Sequence, residues 1–497
     1  MRTELIDPVA TEGRPGAPDH RFARWPVLSI TGLVAALHLA FSASGQHWID
    51  EVYMLAAGRF HLDWGFADQP PLVPLLAAAM DLLAPGSLLV LRLPAVLATA
   101  AAVVVTALIA RELGADRRAQ VLASGAAATG LWVSTVGHWL TPYTVEPLLW
   151  LLITLVLVRW IRLHRAGRDD DRLLLLLGVV VGITVQAKFQ VLLLCAVLLA
   201  GVALFGPRAL LRRPALWGGA GIALLIALPT LLWQAFHGWP QLAMGAVVAG
   251  ESSLLSGGRA GTAASQLVYA GLAGLFLLSY GLWRLLRSAE LRSYRFFGIA
   301  FVFLYVFFVA TAGRPYYLIG LYGIAMAAGA VGLQRRREAV RARGRTPRLS
   351  WTAWPAYALS IALAGSSIVA SGGLTSLFGA MNDQRIIAET ISTYRQLPAQ
   401  QRSDLGLVVE NYISAATIEV GARGTEVPPV HSPHRGYGYF GPPAEHVDSV
   451  LYVGKDPSRL REHFAEVRLV REATTSYWLC TGREGPWSSI WPELRFL

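Results

Sequence analysis

The chain is 497 residues long, 54% hydrophobic and only 15% charged, against about a quarter charged in an average soluble domain, so a soluble globular protein is excluded. Its net charge of +11 does not mark a nucleic-acid binder, because the basic residues sit in short loops between apolar runs, where the positive-inside rule places them. Two cysteines, Cys195 in an apolar run and Cys480 near the C-terminus, exclude a disulfide-built scaffold, and no CxxC or His/Cys cluster suggests zinc.

A membrane-spanning helix needs about 20 mostly apolar residues. Residues 1–25 form a polar tail, too long for the n-region of a secretory signal, so the first apolar run is read as an anchor. Spans are predicted at 26–44, 88–110, 119–137, 145–160, 173–187, 189–206, 215–235, 263–283, 296–312, 316–333 and 352–371, eleven in all, with the pair inside 173–206 short. Between the first two, Pro70–Pro85 is apolar but too short to cross, which suits a helix lying in the membrane interface.

Arginine clusters fix the orientation. The N-terminal tail, Arg111–Arg118, Arg159–Arg172, Arg208–Arg213, Arg284–Arg295 and the seven arginines of Arg335–Arg348 fall on one side, while Arg59, Arg92, Lys188, Arg259 and Arg314 fall on the other. Eleven spans alternate without conflict, so the N-terminus is expected in the cytoplasm and residues 374–497 outside. The domains expected are therefore the tail 1–25, a transmembrane domain 26–371 with an outer loop 45–87, and an extracytoplasmic domain 374–497. The last has ordinary soluble composition and reads as helix (Asp383–Leu397), strand (Leu405–Glu410), helix (Tyr412–Gly421), a Gly/Pro/aromatic loop, and strand (Ser449–Gly454), a small α/β domain. No internal repeat stands out, which counts against an inverted-repeat transporter.

Acidic residues are scarce in the first half of the membrane region, so their places are informative. Asp50 and Glu51 follow the first span, and Asp68-Gln69-Pro70-Pro71 opens the interfacial helix. Asp50 suits the N-cap of a helix Glu51–Phe60, and being adjacent to Glu51 it cannot share a helix face with it. Glu146, in Thr141-Pro142-Tyr143-Thr144-Val145-Glu146-Pro147, falls at the outer end of a span. A carboxylate there is either a first-turn residue favoured by the helix dipole or a functional group facing a polar cavity. Lys188, Arg259 and Arg314, the last before Pro315-Tyr316-Tyr317, are each explained singly as snorkelling anchors. Together they place cations at the membrane level of Asp50, Asp68 and Glu146.

The order (aromatic)-x-Asp-Glu-x-Tyr followed by Gly-Phe-x-Asp-x-Pro-Pro-Leu resembles the first outer loop of the GT-C membrane glycosyltransferases, in particular the protein O-mannosyltransferase and aminoarabinose-transferase group (glycosyltransferase family 39-like). The stretch from Thr141 to Trp150 is similar to that group's second acidic motif, where members usually carry Asp. Ala187-Lys188-Phe189, Gly238-Trp239-Pro240, Arg314–Tyr317, Glu410-Asn411-Tyr412 and Tyr439–Pro443 also resemble family signatures, in matching order over most of the chain.

The resemblance implies a GT-C fold and an inverting transfer of a sugar, on the outer face of the plasma membrane, from a polyprenyl-phosphate donor to a lipid, protein or cell-envelope glycan. It implies Asp50 as the catalytic base, supported by Asp68 and Glu146. Glu51 and Gln69 would lie toward substrate, and Lys188, Arg259, Arg314, Tyr316 and Tyr317 would hold the carrier phosphate. Two departures stand out: Gln69 occupies a position where aminoarabinose-type relatives carry Lys, and Glu146 replaces Asp. No spacing demands a metal, although Asp50, Asp68 and Glu146 could share a divalent cation. The rival reading is a polytopic transporter or flippase for a lipid-linked sugar, which would call for ionisable groups near the bilayer midplane. The loop His431–Pro443 could stack Tyr437, Tyr439 and Phe440 on sugar rings, or could simply need tight turns.

Overall fold

A computed structural model describes residues 21–43, 45–345, 353–377 and 384–497. Most of the expected 1–25 tail, Arg348 and Asp383 lie outside the described residues. The membrane part runs α1 (Arg24–Ser42), α2 (Ile49–Phe60), α3 (Leu72–Leu83), α4 (Leu88–Glu112), α5 (Arg117–Ala128), α6 (Leu131–Val136), α7 (Pro142–Arg165), α8 (Arg172–Ala187) and α9 (Gln190–Phe205). It continues through α10 (Pro214–Phe236), α11 (Pro240–Gly250), α12 (Ser252–Ser256), α13 (Gly258–Val268), α14 (Leu272–Arg287), α15 (Arg295–Ala310), a 3-10 turn Pro315–Leu321 leading into α16 (Tyr322–Ala342), and α17 (Ala353–Leu377).

Among the described residues seven helices are long and apolar enough to cross a membrane, or eight if α13 and α14 count as one bent span. The expected eleven are therefore only partly matched, and the reason is local. The expected span 119–137 breaks after Ala128, and the expected span 263–283 bends by 94° between α13 and α14. The two breaks meet. Gly271, at φ 72°, approaches Thr129 so closely that a Cβ would lie 2.4 Å from its carbonyl oxygen, and the Trp132 N–H donates to the Tyr269 carbonyl. Backbone groups released by one break are thus satisfied at the other, as low-dielectric surroundings require. Helices α8 and α9 exist as expected but have only 16 residues each.

The central helices are α4, α7 and α16, while α1, α10 and α17 expose apolar side chains outward. Small residues let the bundle close: a Cβ on Gly281 of α14 would lie 1.7 Å from the Ala325 carbonyl oxygen of α16, the close approach typical of helices packing in lipid. Exposed Trp25, Trp217, Trp283 and Trp354 lie at helix ends on the arginine-rich face, as an interfacial aromatic belt does.

After α18 (Arg385–Gln396) and the short α19 (Ala399–Arg402), the tail folds as β1 (Leu405–Val409), α20 (Tyr412–Gly421), β2 (Val430–His431), β3 (Ser449–Val453), β4 (Phe464–Glu472), β5 (Ser476–Arg483) and α21 (Trp487–Leu494). The sheet order is β2-β1-β3-β5-β4, with the first three parallel and the last two antiparallel. The expected α/β unit is present, enlarged by a hairpin and a final helix. Its α20 packs on α2 of the membrane part, and its apolar residues join those of α2 and α3 in one core. The loop 45–87 and the tail domain therefore share one face, and the α11–α12 segment meets them there through the ion pair of Glu251 with Arg435.

Candidate active site

Helix α2 starts from an extended Trp48, and it is Trp48 that occupies the N-cap, so the capping role expected for Asp50 is not the one observed. Asp50 and Glu51 both fall in the first turn, which favours carboxylates. They then diverge, as adjacent helical residues must. Glu51 is fully buried; its oxygens accept from Arg92 Nε at 3.1 Å and Nη2 at 2.9 Å, from the Leu140 N–H at 3.1 Å and from the Trp48 N–H at 3.3 Å. It is committed to holding α2, α4 and the start of α7 together and presents no oxygen to a substrate.

Asp50 turns the other way, where its Oδ2 accepts from the Tyr143 hydroxyl at 3.0 Å. That hydroxyl in turn accepts from Trp48 Nε1 at 2.6 Å, and the Trp48 indole stacks on Trp139 with centroids 4.1 Å apart. Burial raises the Asp50 carboxyl above its ordinary range; the Tyr143 hydrogen bond and the charges of Arg435, Arg314 and Lys188 oppose that rise. A carboxylate raised by burial and held in reach of three cations is a candidate base.

Glu146 sits three residues, just under a full turn, beyond Tyr143 on the same face of α7. Its Oε2 lies 3.5 Å from Lys188 Nζ, while Oε1 has no partner. Lys188 closes α8 in an extended conformation that swings its ammonium 4.4 Å from the Tyr317 ring and 4.9 Å from the Tyr316 ring. The Tyr316 ring lies 4.9 Å from that of Tyr143. Asp50 and Glu146 are thus joined through Tyr143, Tyr316 and Lys188 in one polar aromatic site.

Asp68 accepts from the Tyr53 hydroxyl at 2.9 Å. Burial pushes its carboxyl up to about 6 despite that bond and the Arg435 charge. Tyr53 packs edge-on to Tyr412 at 5.0 Å, and Arg435 donates to the Tyr412 hydroxyl at 3.2 Å. Gly436 makes this approach possible: a Cβ there would fall 1.8 Å from the Tyr53 hydroxyl oxygen. Arg314 and Arg435 share one carboxylate, that of Glu251.

Two expected residues stand apart. Arg259 is exposed and donates to the Ala310 carbonyl at 3.1 Å rather than to any of these carboxylates. Gln69 is buried with its side-chain Nε2 unpartnered, and its carbonyl oxygen accepts from the Phe66 N–H. Among the described residues no three His, Cys, Asp or Glu side chains are grouped to hold a metal ion, so Asp50, Asp68 and Glu146 are not assembled as one ligand set. The aromatic loop of the tail packs inward. Tyr437 is buried and donates to Glu419, and Phe440 stacks on His61 at 4.1 Å, in keeping with the tight-turn reading of its composition.

Sequence reasoning passed over Tyr143, Glu251 and Arg435. Tyr143 had a signal, lying inside the motif that contains Glu146. Glu251 had a weaker one, as the only acidic residue of 236–262. Arg435 had none, because its place depends on the docking of two parts of the chain.

Residues 68–233 match the family model described as dolichyl-phosphate-mannose-protein mannosyltransferase. The structure of ArnT from Cupriavidus metallidurans bound to undecaprenyl phosphate superposes with a TM-score of 0.64 at 13% identity, covering 91% of this chain and 97% of that one. The chain has a GT-C-like fold. The apo structure of the same ArnT gives a TM-score of 0.60 at 12% identity, with the same coverage. No curated protein sequence matches. The family match begins at Asp68, after Asp50, Glu51 and Tyr53, so it takes in only the second half of the loop motif, while the fold is shared with a chain of nearly equal length. In this GT-C-like fold the family match spans Asp68, Glu146 and Lys188, and ends before Glu251, Arg314 and Arg435.

Proposed function

We propose that the protein is an inverting glycosyltransferase that moves a sugar from a polyprenyl-phosphate carrier to a hydroxyl of a lipid, protein or cell-envelope glycan on the outer face of the plasma membrane. The observation that carries this reading is Asp50, a half-buried carboxylate fixed by Tyr143 within the field of Lys188, Arg314 and Arg435. Asp50 takes the proton of the acceptor hydroxyl as its oxygen attacks the anomeric carbon. The bond from that carbon to the phosphate oxygen breaks, and its electron pair leaves with the phosphate, which gains one negative charge. Cations fixed in a low-dielectric site stabilise such a developing charge without reorganising.

Tyr143 orients the base, Glu146 positions Lys188, and Tyr316 and Tyr317 wall the ammonium. Asp68 and Tyr53 tie the first outer loop to the tail domain beside the base. Glu146 is engaged by Lys188 rather than paired with Asp50 across a shared sugar position, which favours a single displacement over a covalent intermediate. The arginine distribution and the common face of loop, segment and tail support the outer-face location.

The test is incubation of the purified protein in lipid nanodiscs with a panel of labelled polyprenyl-phosphate sugars, following release of the carrier phosphate. Turnover is expected with at least one donor. Absence of both transfer and hydrolysis with every donor would overturn the reading.

A further inference from the structure

Glu251 joins α11 to α12 and splits its two oxygens between guanidiniums from distant parts of the chain: Oε2 faces Arg314 Nη2 and Oε1 faces Arg435 Nη2. The carboxylate is too small for the donors around it. Arg314 Nη1 and Arg435 Nε are both buried without an acceptor. Unmet buried N–H groups are costly, and forked guanidiniums match a phosphate's larger oxygen set better than a single carboxylate. Both arginines also lower the Asp50 carboxyl, so an anion held between them shares their field with the base.

The segment that carries Glu251 is set apart from the rest of the bundle. It is bounded by Gly238 and Trp239 at φ 76° and 57° on one side and by Gly257 and Gly258 at φ 70° and 67° on the other. Leu242 and Leu254 of this segment are exposed, as on a helix lying at a membrane interface.

We infer that Glu251 occupies, in the free protein, the anion position between Arg314 and Arg435 that the carrier phosphate takes, so that the carrier must displace this carboxylate to bind and the carboxylate competes with the spent carrier for release. This rests on the function proposed above. Charge is conserved on entry, since a carboxylate and a sugar-linked phosphodiester each contribute one negative charge. After transfer the phosphate carries an extra charge and would hold both arginines more tightly. The return of Glu251 opposes that retention.

The experiment is a titration of the full-length protein in nanodiscs with undecaprenyl phosphate, read by native mass spectrometry, for wild type, Glu251→Gln, Glu251→Asp and Arg435→Gln. If the free site is closed most of the time, opening it raises apparent affinity in proportion, so Glu251→Gln is expected to bind about tenfold tighter. Glu251→Asp, which keeps the charge, should stay near wild type, and Arg435→Gln should bind more weakly. Wild-type binding with no tightening in a folded Glu251→Gln variant overturns the inference alone. Should that variant fail to fold, Arg435→Gln decides, and unchanged binding there overturns the inference. No binding by any form overturns the proposed function and the inference together.

Discussion

Replacing Glu51 by Ala tests the division of labour between the two adjacent acidic residues of α2. Glu51 is completely buried and Arg92 is 1% exposed, with Arg92 Nη2 2.9 Å from Glu51 Oε2 and Arg92 Nε 3.1 Å from both carboxylate oxygens. The substitution leaves the guanidinium without its carboxylate and removes the acceptor of the Leu140 and Trp48 N–H groups. Breaking a buried ion pair on one side typically costs about 3–5 kcal/mol. We expect Glu51→Ala to lose about that much, read as a lowered midpoint in thermal unfolding followed by size exclusion in detergent. The double variant Glu51→Leu/Arg92→Leu should regain the part of the loss due to the unpaired guanidinium, because an apolar pair avoids the desolvation of both charges, while the Leu140 and Trp48 N–H groups stay unmet. A single variant within about 1 kcal/mol of wild type, or a double variant no better than the single, would refute the reasoning, since neither fits a buried ion pair left half unmade.

Two further outcomes follow from the same site. The Asp68 carboxyl is raised to about 6 from its ordinary 3.8, so its ionisation weighs against the folded state as pH climbs from about 4 through 6; Asp68→Asn should therefore stabilise the protein by up to about 3 kcal/mol at pH 8, with the gain vanishing below pH 4 in unfolding measurements. Gly436→Val places a side chain on the Tyr53 hydroxyl, an overpacking that costs about 1–3 kcal/mol, and should loosen the tail from the membrane part, seen as faster proteolysis of 384–497 with the membrane helices intact.

The long spans were readable because bilayer thickness dictates their length, so α1, α4, α7 and α10 lie within a few residues of their apolar runs. The breaks were not readable. The division between α5 and α6 and the bend between α13 and α14 depend on Gly271 and Thr129 meeting, and nothing in either segment's periodicity shows that contact. In the tail, β1, α20 and β3 show apolar cores in sequence, whereas β4 has an exposed, charge-studded face and escaped notice. Asp50, Glu146, Lys188 and Arg314 stood out because charged residues at a membrane edge are rare. Arg435 and Glu251 were missed because their meaning comes only from tertiary docking across nearly two hundred residues of chain.

The central claim is that Asp50 is the base of a sugar transfer. The direct measurement is turnover of the best polyprenyl-phosphate sugar by Asp50→Asn, with binding of that donor measured on the same sample. The account predicts donor binding within a few-fold of wild type and a rate about 10²–10⁴-fold lower, the contribution of a positioned general base. Turnover at the wild-type rate with the carboxylate removed would contradict it.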